Sequence, residues 1–470
     1  MRAHFHMREP IRAVALWIAV FHGALTAQQA PELTNRTVTL EQCVVFASTN
    51  YPAIRASLAE VSAAESGIDL ARTAYLPRTD LLVQFNRATR NNVFGPILPN
   101  GVIPAISGPV QDASTIQSTF GSAAGALFSW EPFDFGLRAA NVRVAEAVEA
   151  LARAGQAVTE YEVSLAAIGA YLDAVANQQA SEAAGATVKR MEVFADSARV
   201  LVENQLRPGA DHSRALAELA RARNEQIRAE QEAAAALATL AEWMGVAGER
   251  IEIQPQALLA EPPPEHDEIA DLEAHPLAQA SQAEIAVVDA RRASIAKEWR
   301  PRFELQSAAY GRGTGARIDG TFKGDAHGLA PSEGNWAVGF SVRFNPFDYR
   351  QNRVREQIET HQEEAQQAER ERVLQGLKGQ QARARIAVDA ARRIAQNTPL
   401  ELEAARTLET QAQARYRTGL GAVVEVAEAQ RLLRQAEVEN ALARLGVWRA
   451  LFALAAAQGE MQQLLALSSR

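Results

Sequence analysis

The 470-residue chain has one cysteine, few aromatic residues and no excess of basic side chains. A single cysteine excludes a disulfide within the chain, and we expect Cys43 to be a buried apolar thiol in the first helix. The formal net charge of −8 argues against a nucleic-acid partner. Beyond the N-terminus, no stretch is apolar for the ~20 residues that a spanning helix needs. Abundant alanine instead favours long helices packed through small side chains.

Residues 1–27 are organised like a secretory signal peptide. Arg2, Arg8 and Arg12 make the segment basic, and residues 11–21 are mostly apolar. The segment ends at Ala27 with small residues that suit a signal-peptidase cleavage site. The apolar run is too short to span a membrane as a helix. Cleavage would remove three Arg and one Glu and change the net charge from −8 to −10.

The mature sequence contains an internal repeat, which we place at 38–253 and 268–459. The linker 254–267 carries three consecutive prolines, and we expect it to be stiff and extended. A repeat of this length implies two halves that build one unit. The matching landmarks are Tyr51-Pro52 with His275-Pro276, Leu76-Pro77 with Arg300-Pro301, Pro132 to Phe135 with Pro346 to Tyr349, and Arg207-Pro208-Gly209 with Arg417-Thr418-Gly419.

Each half is predicted to contain a helix, two strands and a long helical hairpin. Thr39 and Gln42 fit a capping box at the start of the first helix, which we expect to bend before Pro52. Strands are expected at about 78–90, 118–130, 302–310 and 335–345, with loops at 91–116 and 311–334. Period-two alternation is clearest in the last strand. Its apolar positions are Trp336, Val338, Phe340, Val342 and Phe344.

The long helices follow these strands. No proline occurs between Phe135 and Pro208, and a continuous helix there would be on the order of 100 Å long. In the second half, Thr398-Pro399 is predicted to interrupt the corresponding helix. We expect Gly209 and Gly419 to end the descending helices with positive φ angles.

Strands of about ten residues have the length of transmembrane β-strands. Four strands cannot close a barrel, and a membrane tolerates no open sheet edge. Two chains would supply eight strands and three would supply twelve, of which only the larger barrel can be hollow. A soluble β-sandwich on a coiled-coil stalk is the alternative, because strand periodicity alone does not separate the two.

The order and duplication of these elements resemble the TolC-type outer membrane factors. The residues that carry the resemblance are Asn50-Tyr51-Pro52 at a helix start, Pro132-Phe133-Asp134-Phe135-Gly136-Leu137-Arg138 after the second strand, and Tyr416-Arg417-Thr418-Gly419 before an acidic helix. The resemblance covers about residues 38–459. It implies an α+β membrane protein, internally duplicated, in which three chains share a twelve-stranded barrel and a periplasmic α-helical coiled-coil barrel.

The resemblance also implies location in the outer membrane of a Gram-negative-type cell, with extension into the periplasm. It implies a homotrimer in contact with lipid that docks to a periplasmic adaptor and an inner membrane pump of the RND or ABC type. Export would be passive. The docking turns would contain Pro208, Gly209, Ala210, Asp211, Gly419, Leu420, Gly421, Ala422 and Val423.

A periplasmic gate with acidic rings is implied at the same end. Glu425 and Glu428 share a helix face, and Glu428 aligns with Glu218 at an offset of 210 residues. Glu218, Glu425 and Glu428 are therefore the candidate selectivity residues, unless they simply form a solvated face. The family ties its closed tip with a Tyr, a basic residue and an acid. Tyr416 is present here, but Gly421 and Ala215 hold the other two positions, so Asp211 or Arg214 is a possible substitute.

The sequence offers no nucleophile with a base and no set of residues at metal-ligand spacing. We therefore predict no enzyme and no cofactor. The predicted function is the outer membrane channel of a tripartite efflux or type I secretion system. A structural or adhesive surface protein without an open lumen and a soluble periplasmic scaffold are the alternatives.

Overall fold

The structure is a computed structural model that describes residues 37–89, 116–260, 262–263, 271–315 and 326–468. The expected signal peptide lies outside these residues, as does most of the loop expected at 91–116. In the described part of the chain, no helix is both long enough and apolar enough to cross a membrane. The elements, in chain order, are β1 (Thr37–Val38), α1 (Leu40–Asn50), α2 (Pro52–Thr73), β2 (Arg78–Thr89), β3 (Ser118–Phe133), α3 (Leu137–Glu203), α4 (Gly209–Trp243), β4 (Glu252–Ile253), α5 (Gln256–Leu259), a 3-10 turn (Leu272–Ala274), α6 (Pro276–Glu298), β5 (Arg302–Thr314), β6 (Glu333–Arg343), α7 (Asp348–Arg417), α8 (Val423–Gln458) and α9 (Gln462–Ser468).

The first helix begins at the predicted capping box. The Thr39 hydroxyl accepts a hydrogen bond from the Gln42 amide at 3.3 Å, and the Gln42 side chain accepts one from the Thr39 amide at 3.1 Å. Cys43 is buried in this helix, and burial raises the pKa of its thiol to about 12. The thiol is therefore neutral and serves as an apolar packing group.

Four antiparallel strands form one sheet in the order β2-β3-β5-β6. The two repeats therefore meet at the β3–β5 pair, and β2 and β6 are the edge strands. The prediction of a glycine-rich loop at 311–334 starts the loop too early, because β5 continues to Thr314. Gly313 is needed within this strand, because a Cβ at that position would lie 2.1 Å from the Ala330 carbonyl oxygen. The absence of a side chain lets the returning chain pack directly on the strand.

The long helices begin at chain corners beside the sheet. Helix α3 has 67 residues and α7 has 70, so each is about 100 Å long. The prediction that Pro399 interrupts the second arm is wrong, since α7 passes through it unbroken. A proline removes one helical hydrogen bond, and the buried positions Thr398 and Ala405 around it retain their packing.

The linker between the repeats is not uniformly extended, contrary to expectation. It contains the short helix α5, and Leu258 within it is buried. Strand β4, just before the linker, pairs in parallel with β1, and the first linker residue, Gln254, donates its amide hydrogen bond to the Val38 carbonyl at 3.0 Å. Arg444 of α8 donates to the Leu259 carbonyl, and Arg392 of α7 donates to the Pro263 carbonyl. One apolar anchor and two arginines therefore hold this segment against the helices.

The corner at 132–138 joins the sheet to α3 through a buried aspartate. Asp134 accepts hydrogen bonds from the amides of Gly136 and Arg138 at 3.0 and 2.6 Å, and from the Arg138 guanidinium at 2.9 Å. Gly136 has φ 82°, a conformation that favours glycine. The second corner, at 346–350, lacks this glycine and has a different arrangement. There Asp348 is half-buried and accepts a hydrogen bond from the exposed Asn345 side chain at 2.7 Å.

We predict that Asp134→Ala destabilises the protein by roughly 3–5 kcal/mol, because it leaves the buried Arg138 without its partner. Burial alone would raise the pKa of Asp134, but the hydrogen bonds from Arg138 and Gly136 outweigh it and lower the pKa. The stabilisation is therefore present above the ordinary carboxyl pKa and is lost as pH falls through the lowered value. Thermal unfolding in detergent at pH 7, and then at decreasing pH, measures both effects.

Asp348→Ala is the matched control from the other repeat. We expect it to cost under about 1 kcal/mol, since its partner is exposed and uncharged. Equal losses for the two variants would contradict the assignment of the Asp134 ion pair as a buried anchor.

Candidate functional site

Two helical turns lie side by side at the end of the long hairpins. The first joins α3 to α4 and the second joins α7 to α8. A shared apolar core packs beneath them, and its members come from all four helices. They are Val188, Met191, Phe194, Ala195, Ala198, Ala215, Leu219, Ala222, Ala412, Tyr416, Val423, Val426 and Ala429. The two hairpins of one chain therefore form a single helical bundle at this end.

The hydrogen bonds of the two turns match at an offset of 214 residues. The amides of Asn204, Gln205 and Leu206 donate to the carbonyls of Val200, Val202 and Leu201. The amides of Thr418, Gly419 and Leu420 donate to those of Ala414, Tyr416 and Arg415. The left-handed positions are Gln205, with φ 63°, and Gly419, with φ 84°. The predictions for Gly209 and for an offset of 210 are therefore wrong. Pro208 instead caps the start of α4, so Gly209 is a first-turn residue.

The corrected offset changes which acidic residues correspond. Glu425 matches Asp211, whereas Glu428 matches Arg214 and Glu218 matches Leu432. The predicted equivalence of Glu218 and Glu428 does not hold. Both nevertheless line one cavity of about 330 Å³ between α4 and α8.

Arginines surround these glutamates. Arg431 pairs with Glu428 at 2.6 Å, and its hydrogen bonds hold the pKa of that carboxyl below its usual range. Glu425 lies 3.6 Å from Arg415 of the preceding helix. The cavity that contains Glu218 is also lined by Arg214, Arg221, Arg431 and Arg434. The region is therefore of mixed charge within one chain.

Arg207 joins the two turns and was missing from the predicted site residues. Its Nη2 donates to the Tyr416 and Gly421 carbonyls, each at 2.7 Å. Its guanidinium lies 4.6 Å from the centre of the Tyr416 ring, and Asp211 is 3.9 Å away. By the hydrogen-bond match, Arg207 corresponds to Gly421, the position where the family pattern has a basic residue. The basic residue is therefore present in this chain as Arg207, but it lies in the first repeat and not in the second. The hydrogen bonds of the turns identify this match, whereas the similar sequence triplets point to a different one.

Tyr416 belongs to the core of this bundle. It is buried, and its ring packs 5.1 Å from that of Phe194. Burial raises the pKa of its hydroxyl, which has no hydrogen-bond partner in the part of the chain that the structure describes. The structure thus places the predicted gate tyrosine beneath the turns as a packing partner of Arg207. Gly421 and Val423 are buried as well, whereas Pro208, Gly209, Ala210, Gly419, Leu420 and Ala422 are exposed.

A second polar connection joins the hairpins about 20 Å along the helices from the turns. Arg190 of α3 binds Glu437 at 2.9 Å and Gln430 at 3.0 Å, both on α8. Gln430 also donates to Glu409 of α7, whose pKa is raised by burial. Sequence reasoning missed this network because its members lie on three helices.

The sheet has one exposed apolar face. Trp336, Val338, Phe340, Val342 and Phe344 are between 47% and 80% exposed, although Phe344 lies just beyond β6. Cross-strand pairing places Leu305 opposite Phe340, and Trp130 opposite Leu305. Leu81, Val83 and Phe85 of β2 are exposed on the same face. This face extends across all four strands.

An edge-open sheet with an apolar outer face, joined to helices about 100 Å long, defines the class of outer membrane proteins with a helical extension. The family model for outer membrane efflux proteins matches residues 46–246 and 271–460. The chain belongs to that family and is an outer membrane protein. None of the curated proteins matches it at a significant level.

Solved structures of outer membrane proteins have the same fold. VceC from Vibrio cholerae is 15% identical with a TM-score of 0.69, covering 90% of this chain and 96% of its own. The CmeC channel of Campylobacter jejuni is 13% identical with a TM-score of 0.69, covering 89% and 85%. The open MtrE channel of Neisseria gonorrhoeae is 16% identical with a TM-score of 0.65, covering 90% and 89%.

We predict that Arg207→Ala loosens the paired turns by roughly 2–4 kcal/mol, because two charged hydrogen bonds and a cation–π contact are lost. Hydrogen exchange of the amides around 204–209 and 418–423 should increase. Arg207→Lys keeps the charge but not the forked geometry, so we expect an intermediate effect. Unchanged exchange in the alanine variant would show that the apolar core alone holds the turns together.

Proposed function

We propose that this protein is the outer membrane channel of a tripartite efflux or type I secretion system. Three identical chains form a passive duct through the outer membrane and periplasm. A periplasmic adaptor and an inner membrane pump of the RND or ABC type supply the energy. Family membership supports this function, and so does the shared fold of CmeC and MtrE, which are outer membrane channels.

The observation that carries the proposal is the exposed apolar face on a sheet with two open edges. Among the described strands, β2 and β6 each present unpaired backbone groups in the single chain. A membrane does not tolerate such edges, so β6 of one chain pairs with β2 of the next until the sheet closes. Twelve strands from three chains leave a hollow centre.

Conductance in planar bilayers tests this function. Purified full-length protein should insert as discrete steps of ionic current. A structural or adhesive surface protein anchored by its strands needs no lumen and would give none. Membrane insertion without current would therefore favour that second function and contradict the channel.

The exposed residues of the two turns form the proposed adaptor surface. Leu420 is 74% exposed at the tip of the second turn, where a partner protein could bury its large apolar side chain. The neighbouring Pro208, Gly209, Ala210 and Ala422 are exposed beside it, with Asp211 half-buried. Gly421 and Val423 support this surface from below.

We predict that Phe340→Arg impairs assembly far more than Ser341→Arg. The first substitution places a charge on the lipid-facing side, at a cost of roughly 2–4 kcal/mol near the membrane midplane. The second points to the opposite side of β6, where the side chain meets the lumen. The yield of heat-resistant oligomer on gels measures the difference. Comparable losses would mean that the outward face has been assigned incorrectly.

Glu218, Glu425 and Glu428 are proposed to bias the periplasmic entrance towards cations. Replacing all three with Ala removes nine negative charges from a trimer and leaves Arg431 and Arg415 unpaired. The reversal potential should therefore shift towards anion preference, and block by multivalent cations from the periplasmic side should weaken. If neither quantity changes, these carboxylates form only a solvated face.

A further inference from the structure

The face of the sheet opposite the apolar one has an uneven distribution of side chains. Its middle carries small or apolar groups, and Leu127, Ala308 and Ala337 among them face one another in register. The end nearest the helices instead carries long charged side chains. They are Arg78, Glu131, Arg302, Glu304 and Arg343. Given the proposed channel, on which this inference rests, long side chains narrow the lumen at this level.

All five surround one cavity of about 250 Å³. Arg302 is paired directly opposite Arg343 in the β5–β6 register, so two like charges are neighbours. Arg343 binds Glu304 at 3.1 Å, and Arg78 binds Asp80 at 2.9 Å. Among the described residues, Arg302 has no ion pair. It is also exposed.

The cations extend further into open space than the acids that balance them. The Arg78 side chain is 76% exposed and its partner Asp80 is 34% exposed. The Arg343 side chain is 68% exposed and its partner Glu304 is 25% exposed. Glu131 has one carboxylate oxygen buried without a hydrogen-bond partner from the described chain, so that oxygen faces the wall. In the single chain, the guanidinium groups are therefore more accessible on this face than the carboxylates that pair with them.

We propose that Arg302, with Arg78 and Arg343, forms an anion-attracting ring where the sheet meets the helices. The ring favours exported molecules that carry a carboxylate, phosphate or sulfonate group. Guanidinium groups suit this chemistry because their paired N–H donors match the two oxygens of such anions. Three copies around an axis multiply the charge, as in other pores selected by rings of one sign.

Ion selectivity of the full-length protein in planar bilayers tests the ring. Under a salt gradient, Arg302→Gln should lower the anion-to-cation permeability ratio by roughly two- to five-fold, the range expected for an exposed charge. Glu304→Gln should raise the ratio, because Arg343 loses its partner while remaining charged. Arg302→Lys keeps the charge and should stay near the wild type. Citrate added to the bath should block current less in Arg302→Gln and more in Glu304→Gln.

A structural role for these residues predicts a different result. Both Gln variants would then change the current in the same direction or leave selectivity and citrate block unchanged, and either outcome would overturn the ring. Heat-resistant oligomer on gels checks that each variant assembles. If Arg302→Gln does not assemble, Glu304→Gln still tests the ring, because it should raise the anion-to-cation permeability ratio. Absence of current from the wild type would instead contradict the channel itself, and the ring with it.

Discussion

The rest of the structure depends on four strands that cannot satisfy their own edges. Each repeat contributes one hairpin, and the pairing of β3 with β5 joins them into a single sheet whose outer strands are β2 and β6. In lipid, every backbone donor and acceptor needs a partner, so these edges impose assembly between chains. The apolar face from Leu81 to Trp336 is exposed, and charged side chains such as Arg78 and Arg343 lie on the opposite face.

The helices face a different constraint, because they must remain aligned over about 100 Å with few large side chains. Alanine-rich contacts allow close packing, but they provide little specificity along the helix axis. Polar connections provide it at defined levels. Arg207 joins the two turns, the network of Arg190, Gln430 and Glu409 joins three helices further along, and the Asp134–Arg138 pair anchors α3 beneath the sheet. Within one chain, the two hairpins are thereby held in register.

Sequence patterns predicted the elements well where one local rule dominates. Period-two alternation identified β6, and the capping box at Thr39 identified the start of α1. Predictions failed where a local rule competes with packing. Pro399 is a helix breaker by local rules, yet the surrounding α7 absorbs one lost hydrogen bond. Gly311 and Gly313 are typical of a loop, yet they lie in β5. Glycine is present there because Pro331 and Ala330 of the returning chain approach these positions closely.

The candidate site shows the same limit. Two similar triplets, Arg207-Pro208-Gly209 and Arg417-Thr418-Gly419, suggested a match that is displaced by four residues from the one the hydrogen bonds define. No sequence rule indicated that Gln205 would adopt the left-handed conformation in place of a glycine. Arg190 and Arg302 are single charges among many in the sequence, and only the positions of neighbouring helices and strands distinguish them.

The central claim is that one chain supplies a third of a closed sheet. Sedimentation of the full-length protein in mild detergent, with the bound detergent accounted for, measures the number of chains directly. We expect one species with the mass of three chains. A well-folded monomer, or a species with two or four chains, would contradict the claim.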